Sequence, residues 1–254
     1  MEKYIHTEEV HNLKDPNVIV PLVINLLKPS SVVDIGCGVG NFLKIFKNKG
    51  VQNILGVDGK WANRDLLQKH ISLSEFIERD LEKPLKLNEY YDLVVNLEVA
   101  EHLSEKSAEI HVQNLIAAGK LILFSAAIPY QPGQNHINEQ WLTYWKKLFE
   151  KYNYKLHDIM RPLLWNLKCQ TCYKQNMVVF APIDYEFKEK LNYTCLNNVV
   201  HPELYNYKVN QLERINEEYK KLLNGKISYR LALKMILKGL IGIEMWEKLK
   251  TMNK

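Results

Sequence analysis

Uninterrupted apolar runs recur through the first 182 residues, and stretches with one apolar face separate them. Residues 17–27 are apolar-periodic and end at Lys28-Pro29, which predicts a helix leading into the fold. SVVDI then runs straight into the turn GCGVG, a buried strand followed by glycines. Phe42, Ile45 and Phe46 give residues 41–49 a helical face. NILGVDG predicts a second strand, 61–70 a second helix and FIERDL a short third strand. YDLVVNLEVA is a fourth strand, followed by a helix over 101–119; KLILFSAAIP is a fifth, followed by a helix over 138–152. Two β-rich runs, 154–164 and 175–182, lie close enough in sequence to pair as neighbours.

Continuous apolar strands alternating with helices define an α/β protein whose mostly parallel sheet is covered on both faces. In such sheets ligands bind beyond the carboxyl ends of the strands, where the connections reverse. The alternation stops near Pro182, which divides the chain into a domain over 1–182, with 1–30 as a helical lead-in, and a helical extension over 183–254. In the extension, 206–223 and 226–250 read as two helices parted by Asn224-Gly225.

Composition narrows the picture. Apolar residues make up 46% and charged residues 25% of the 254, enough for a real core. No run of about 18 apolar residues is present, so no transmembrane helix is expected. The polar start MEKYIHTEEVHNLKDP does not resemble a secretory signal, and the expected location is cytoplasmic. Cys169 and Cys172 form a single CxxC without the second pair that a zinc site needs. The net charge of +5 is accounted for by residues 226–254, which hold seven Lys or Arg and two Glu. Lys226, Arg230, Lys234 and Lys238 form a basic stripe beside an apolar face, a pattern suited to an anionic membrane surface or a protein partner, and equally to a solvated appendage. A peripheral position at the inner membrane surface follows if the stripe meets lipid.

Candidate chemistry sits at four strand ends. Asp34, Gly36, Cys37, Gly38 and Gly40 follow the first, Asp58 the second, Asp80 and Leu81 the third, and Asn96 and Glu98 the fourth. Glycines let backbone approach a ligand closely, and an acid after the second strand can accept ribose hydroxyls. A dinucleotide fingerprint would read GxGxxG, whereas the spacing here is GxGxG. In their order and spacing, VVDIGCGVG, GVDG, ERDLEKP and YDLVVNLEVAEHL resemble the class I S-adenosylmethionine-dependent methyltransferases. That resemblance implies a Rossmann-like seven-stranded sheet with one antiparallel strand in its last pair. It assigns Asp34 and Gly36–Gly40 to the methionine end of the cofactor, Asp58 to the ribose, Asp80 and Leu81 to the adenine, and Asn96 to the methionine moiety. One departure is Gly59, where many members carry an apolar residue against adenine; Trp61 is a candidate cover for the ring, and core packing reads it as well.

Methyl transfer to a hydroxyl requires alignment and a way to offset a proton. Glu98, Glu101 and His102 have the i, i+3, i+4 spacing of one helix face. With His136 this ExxEH run resembles the metal site of small-RNA 3′-terminal 2′-O-methyltransferases and of ubiquinone-pathway O-methyltransferases. The resemblance makes Glu98, Glu101, His102 and His136 ligands of a divalent cation such as magnesium; the bland reading is a cap or local pairing. Glu98, Glu101 and His102 are also candidate bases, as is His136 in the loop PYQPGQNH ahead of a helix that Asn138 could cap.

LILFSAAIP, GQNHINEQW, RPLLW and YKQNM resemble bacterial methyltransferases associated with surface-glycan and natural-product biosynthesis. Tyr130, Trp141, Tyr144, Trp145 and Trp165 are aromatics available to stack on a sugar, with core packing favoured for Trp145. The leading expectation is therefore O-methylation of a glycan or small-molecule acceptor. RNA 2′-O-methylation is the alternative, and nucleic acid is not the expected partner, because residues 1–225 carry no net charge. The intact glycine turn and cofactor acids argue against a third reading, an inactive scaffold.

Overall fold

The computed structural model describes residues 12–187, 194–224 and 233. Seven strands form one sheet: β1 (Ser31–Ile35), β2 (Asn53–Asp58), β3 (Phe76–Glu78), β4 (Tyr91–Leu97), β5 (Gly119–Ser125), β6 (Tyr154–His157) and β7 (Val178–Pro182). Their order is β3-β2-β1-β4-β5-β7-β6. All pairings are parallel except those of β7, which runs antiparallel to both β5 and β6. The expected seven-stranded, mostly parallel sheet is the one that forms.

Alternate strand residues enter opposite cores. Val32, Leu93, Val95, Leu123 and Val179 meet α1 (Lys14–Leu27), α2 (Asn41–Asn48) and α3 (Arg64–Gln68). On the other face Val33, Val94, Ile122, Phe124 and Phe180 meet α4 (Ala108–Ala118) and α5 (Leu142–Glu150). Trp145 is buried in that second core, as its helical spacing predicts. Phe180 stacks on Phe149 at 3.8 Å between centroids and meets Phe124 edge-on at 5.8 Å.

The helices read over 61–70 and 138–152 shorten to α3 and α5, and three further elements are shorter than read for a visible reason. The run over 154–164 pairs only from Tyr154 to His157. Asp158 then takes two hydrogen bonds from Arg161 (Nε to Oδ1 2.8 Å, Nη2 to Oδ2 2.7 Å), and this i, i+3 pair turns the chain into α6 (Met160–Leu164). Gln175 and Asn176, read as strand, close α7 (Thr171–Asn176) instead. The helix expected over 101–119 is α4 alone, preceded by single 3₁₀ turns at Ala100–His102 and Glu105–Ser107. There the backbone leaves β4 through Glu98 at φ 54, which no α-helix continues.

The chain divides into two compact units, residues 1–201 and 202–254. β7 ends at Pro182, where the alternating pattern stops, yet residues 194–201 also belong to the first unit. The Arg161 guanidinium donates to the carbonyls of Leu196 and Asn197, and the Gln175 side chain donates to the Val199 carbonyl. In the second unit α8 (Pro202–Leu223) takes the place of the helix expected over 206–223. The stretch 226–250, with its basic stripe, lies outside the described residues apart from Leu233. Among the described residues no helix is long and apolar enough to cross a membrane.

Phe180→Ala is expected to remove about 3–5 kcal/mol of stability, because the ring's removal leaves a cavity among rigid aromatics. Chemical denaturation measures it, and a loss below about 1 kcal/mol would show a plastic core.

Candidate active site

A cavity of about 1130 Å³ opens beyond the carboxyl ends of β1, β2, β3 and β4. It lies where the strand order reverses between β1 and β4. The glycine turn forms its floor, with Gly36, Gly38 and Gly40 at φ 91, 55 and 75, a run that residues with a Cβ rarely sustain. Of the expected cofactor residues, Asp34, Gly36, Cys37, Gly38, Asp58, Asp80 and Leu81 line this cavity together.

Gly40 stands just behind the wall, where its N–H donates to the Cys37 carbonyl at 2.8 Å and it caps α2. Asn96 is not where the resemblance put it. Its side chain is fully buried, donates to the Ile35 carbonyl at 2.6 Å and meets His111 Nε2 at 3.2 Å. Ladder pairing between β1 and β4 ends at Asp34 and Val95, so this amide satisfies a carbonyl that the parting strands leave open.

Asp58 accepts from the Gly38 N–H at 2.7 Å and the Gly59 N–H at 2.6 Å, with Trp61 donating from its side chain. Two carboxylate oxygens offer about four acceptor sites, so one place remains for a ribose hydroxyl. Gly59 is explained by Trp61. A Cβ at position 59 would lie 2.3 Å from the indole, so the Trp61 ring occupies the space that an apolar residue at 59 would fill. Burial raises the pKa of Asp58 to about 6, and burial with the Asp58 charge raises that of Asp34 well above the usual carboxylate range. Acids held this way favour a ligand that brings positive charge or hydroxyl donors.

On the opposite wall, Glu101, His102 and His136 each offer a ligand atom, all within 4.8 Å of one another. Glu101 is fully buried, and its carboxylate makes no well-formed hydrogen bond, meeting only the Glu98 carboxyl and the backbone of Glu101 and Ala127. Burial, and then the charge of Glu98, push its pKa well up. The His102 and His136 rings meet edge-on at 5.1 Å, and burial with the His136 charge lowers the pKa of His102 to about 4. Two imidazoles beside a buried, unsatisfied carboxylate fit a divalent cation. Glu98 stands outside the cluster. It is not on a helix face with Glu101 and His102, and its oxygens accept from Gln131 at 2.6 Å and Asn176 at 3.1 Å.

The loop carrying His136 is fixed by backbone. The N–H groups of Ile137 and Asn138 both donate to the Glu101 carbonyl, at 2.9 and 3.0 Å. Asn138 does not cap α5; its side-chain oxygen accepts from Gln140, and Trp141 occupies the N-cap without a side-chain bond. Glu139, which the sequence reading passed over, accepts from His136 Nδ1 at 2.8 Å and from the Tyr130 N–H. That bond aims Nε2 away from Glu139, and the signal for it was the His-x-x-Glu spacing. Asp15, Gln170 and Tyr173 also line it and went unread, as did the place there of Cys172, noted only for its CxxC, since α1 and α7 reach the cavity only through tertiary packing. The aromatics proposed to stack on a sugar do not line it: Trp145 is core, Tyr130 and Trp141 are exposed, and Tyr144 and Trp165 lie elsewhere. Phe42, Trp61 and Tyr173 line it instead.

A family model described as a methyltransferase domain matches residues 16–159, more than half of the chain. The chain belongs to the class I S-adenosylmethionine-dependent methyltransferases. Solved methyltransferases share the fold. The methyltransferase domain of bacterial CtHen1 is 20% identical over 68% of this chain and 98% of its own, with a TM-score of 0.50. DesVI of Streptomyces venezuelae is 11% identical over 67% and 91%, with a TM-score of 0.52. The small RNA methyltransferase HEN1 is 16% identical over 75% of this chain and 28% of its own, with a TM-score of 0.51. No curated protein sequence matches this methyltransferase. Its methyl donor is S-adenosylmethionine, which supplies a sulfonium methyl group when bound. In this cradle Asp34, Gly36 and Gly38 would hold the methionine end, Asp58 the ribose, and Leu81 and Trp61 the adenine.

Asp58 carries the pH dependence of that cradle. Its folded pKa is raised to about 6, so its contribution to the stability of the ligand-free fold is largest at low pH and is lost as pH rises through 6. Ribose hydroxyls favour the ionised form, so affinity for S-adenosylhomocysteine should weaken from pH 7.5 to pH 5. Asp58→Asn should bind about 10–100-fold more weakly at pH 7.5, with a flatter profile, by calorimetry. Equal affinity of variant and parent would remove Asp58 from the cofactor site.

Proposed function

We propose that this methyltransferase transfers the methyl group to a hydroxyl of a sugar, in a surface glycan or related metabolite, with a divalent cation held by Glu101, His102 and His136. The observation that carries the proposal is the buried Glu101 carboxylate, without a neutral side-chain donor and beside two imidazoles. A cation held there lowers the pKa of an acceptor hydroxyl, which is the difficulty in O-methylation. Two imidazoles and one carboxylate form a mixed nitrogen and oxygen set, which favours manganese, cobalt or zinc over magnesium. Glu139 orients His136, as partners of ligating histidines commonly do.

The same cluster supports a second reading, because the sequence run resembles that of RNA 2′-O-methyltransferases and the HEN1 named above acts on small RNA. Charge favours the sugar. Among the described residues lining the cavity, seven are Asp or Glu and Lys60 is the only Lys or Arg. A phosphate backbone needs a basic face.

The test supplies radiolabelled S-adenosylmethionine to a host extract with metal-stripped enzyme. Label is expected in saccharide, abolished by chelator and restored better by Mn²⁺ than by Mg²⁺. Label in RNA would replace the sugar reading with the second one, and full labelling in excess chelator would remove the cation. His136→Ala should lower turnover at least about tenfold with S-adenosylhomocysteine affinity unchanged. Normal turnover in that variant would take His136 out of the chemistry.

A further inference from the structure

Two glutamates three residues apart face this cavity in opposite circumstances. Glu101 has no neutral side-chain donor, whereas both oxygens of Glu98 accept from carboxamides. Gln131 Nε2 donates to Glu98 Oε2 at 2.6 Å, and Asn176 Nδ2 donates to Oε1 at 3.1 Å. The two amides are themselves joined, Asn176 Nδ2 to Gln131 Oε1 at 2.8 Å, so neither swings away without breaking a second bond. The backbone of Glu98 is pinned as firmly: its N–H donates to both the carbonyl and the hydroxyl of Ser125, at 3.0 and 3.1 Å, while φ stands at 54. A non-glycine residue in that region costs free energy and persists where surrounding contacts over-determine it.

The clamp is braced from behind. Asn176 follows Gln175, whose amide donates to the Val199 carbonyl and whose oxygen accepts from the His201 N–H. The end of α7 is therefore fixed to residues 194–201, and through Asn176 to Glu98. Glu98 and Gln131 line the cavity, whereas Asn176 sits outside the lining.

We propose that Glu98 and Gln131 form the subsite for a hydroxyl of the acceptor, and that Glu98 is not a ligand of the cation. A carboxylate already stabilised by neutral side-chain donors gains less from a cation than one without them, and Glu101 is the one without them. With Asn176, Gln131 and the Ser125 hydroxyl as donors, the Glu98 carboxylate keeps one acceptor position, and the Gln131 amide keeps a second hydrogen. An acceptor site and a donor site side by side match a hydroxyl, which donates through its hydrogen and accepts through its oxygen. The acceptor class this selects is a neutral polyol, engaged through a hydroxyl at the Glu98–Gln131 pair. The inference rests on the sugar O-methylation reading above, and its test separates the two.

The experiment uses the full chain as parent, Glu98→Gln, Glu101→Gln and Gln131→Leu. Mn²⁺ affinity is measured by calorimetry, and label transfer is measured against increasing amounts of the host saccharide fraction. Glu98→Gln should keep Mn²⁺ affinity within about twofold, while Glu101→Gln loses at least about tenfold. Glu98→Gln and Gln131→Leu should each raise the saccharide concentration for half-maximal labelling at least about tenfold, more than they lower the plateau, with S-adenosylhomocysteine affinity unchanged. If Glu98→Gln loses Mn²⁺ as Glu101→Gln does, Glu98 is a ligand and the assignment is overturned. An unchanged half-saturation in Glu98→Gln overturns it equally. If the parent binds no Mn²⁺, the cation falls and the labelling curves alone decide the hydroxyl subsite. Label in RNA rather than saccharide refutes the sugar reading itself.

Discussion

Strands β1 and β4 stop pairing one residue before β1 ends, and the Ile35 carbonyl left there is taken by the Asn96 side chain. A parallel sheet whose strand order reverses between neighbours opens a crevice at that point. The crevice holds only if the backbone groups freed by the parting find partners away from water. Asn96, fully buried and braced by His111, meets that requirement from inside the sheet. The glycine turn after β1 and the sharp exit of β4 through Glu98 are then free to face the cavity.

Placing carboxylates around an enclosed crevice raises a second demand. Asp34 and Asp58 stand close enough on one wall for the charge of Asp58 to hinder ionisation of Asp34. Glu98 and Glu101 do the same on the other. In each pair one member holds neutral donors: Asp58 holds the Gly38 and Gly59 N–H groups, and Glu98 holds the Gln131 and Asn176 amides. A cofactor carrying sulfonium and ammonium charge complements the first pair, and the proposed divalent cation would complement Glu101 in the second. The acidity of the cavity is thus matched to what it binds, and is poorly matched to a polyanion.

Much of this was legible in the sequence because the signals are local. Apolar runs marked the strands, and the acids that follow them marked Asp34, Asp58 and Asp80, since a strand delivers the next residue to the same edge of the sheet. The reading failed where local pattern and tertiary demand diverge. The spacing of Glu98, Glu101 and His102 suggested a helix face, but the Glu98 N–H is bound to Ser125 across the sheet, so the chain turns at positive φ and no single helix carries the three. Asn96 was carried into the cavity by its place in a motif, while its side chain serves the strand beside it. Gly59 was a visible departure whose cause, the Trp61 ring lying over it, needs three dimensions. Gln131 and Asn176 are 45 residues apart, and nothing in either neighbourhood announces that they meet on one carboxylate.

The cluster of Glu101, His102 and His136 is where structure and chemistry converge, and pulsed electron paramagnetic resonance of the Mn²⁺-loaded full chain reads it directly. Couplings from two imidazole nitrogens are predicted, falling to one in His102→Ala. A spectrum with no nitrogen coupling, or one unchanged by that substitution, would contradict the assignment of these three residues to a cation.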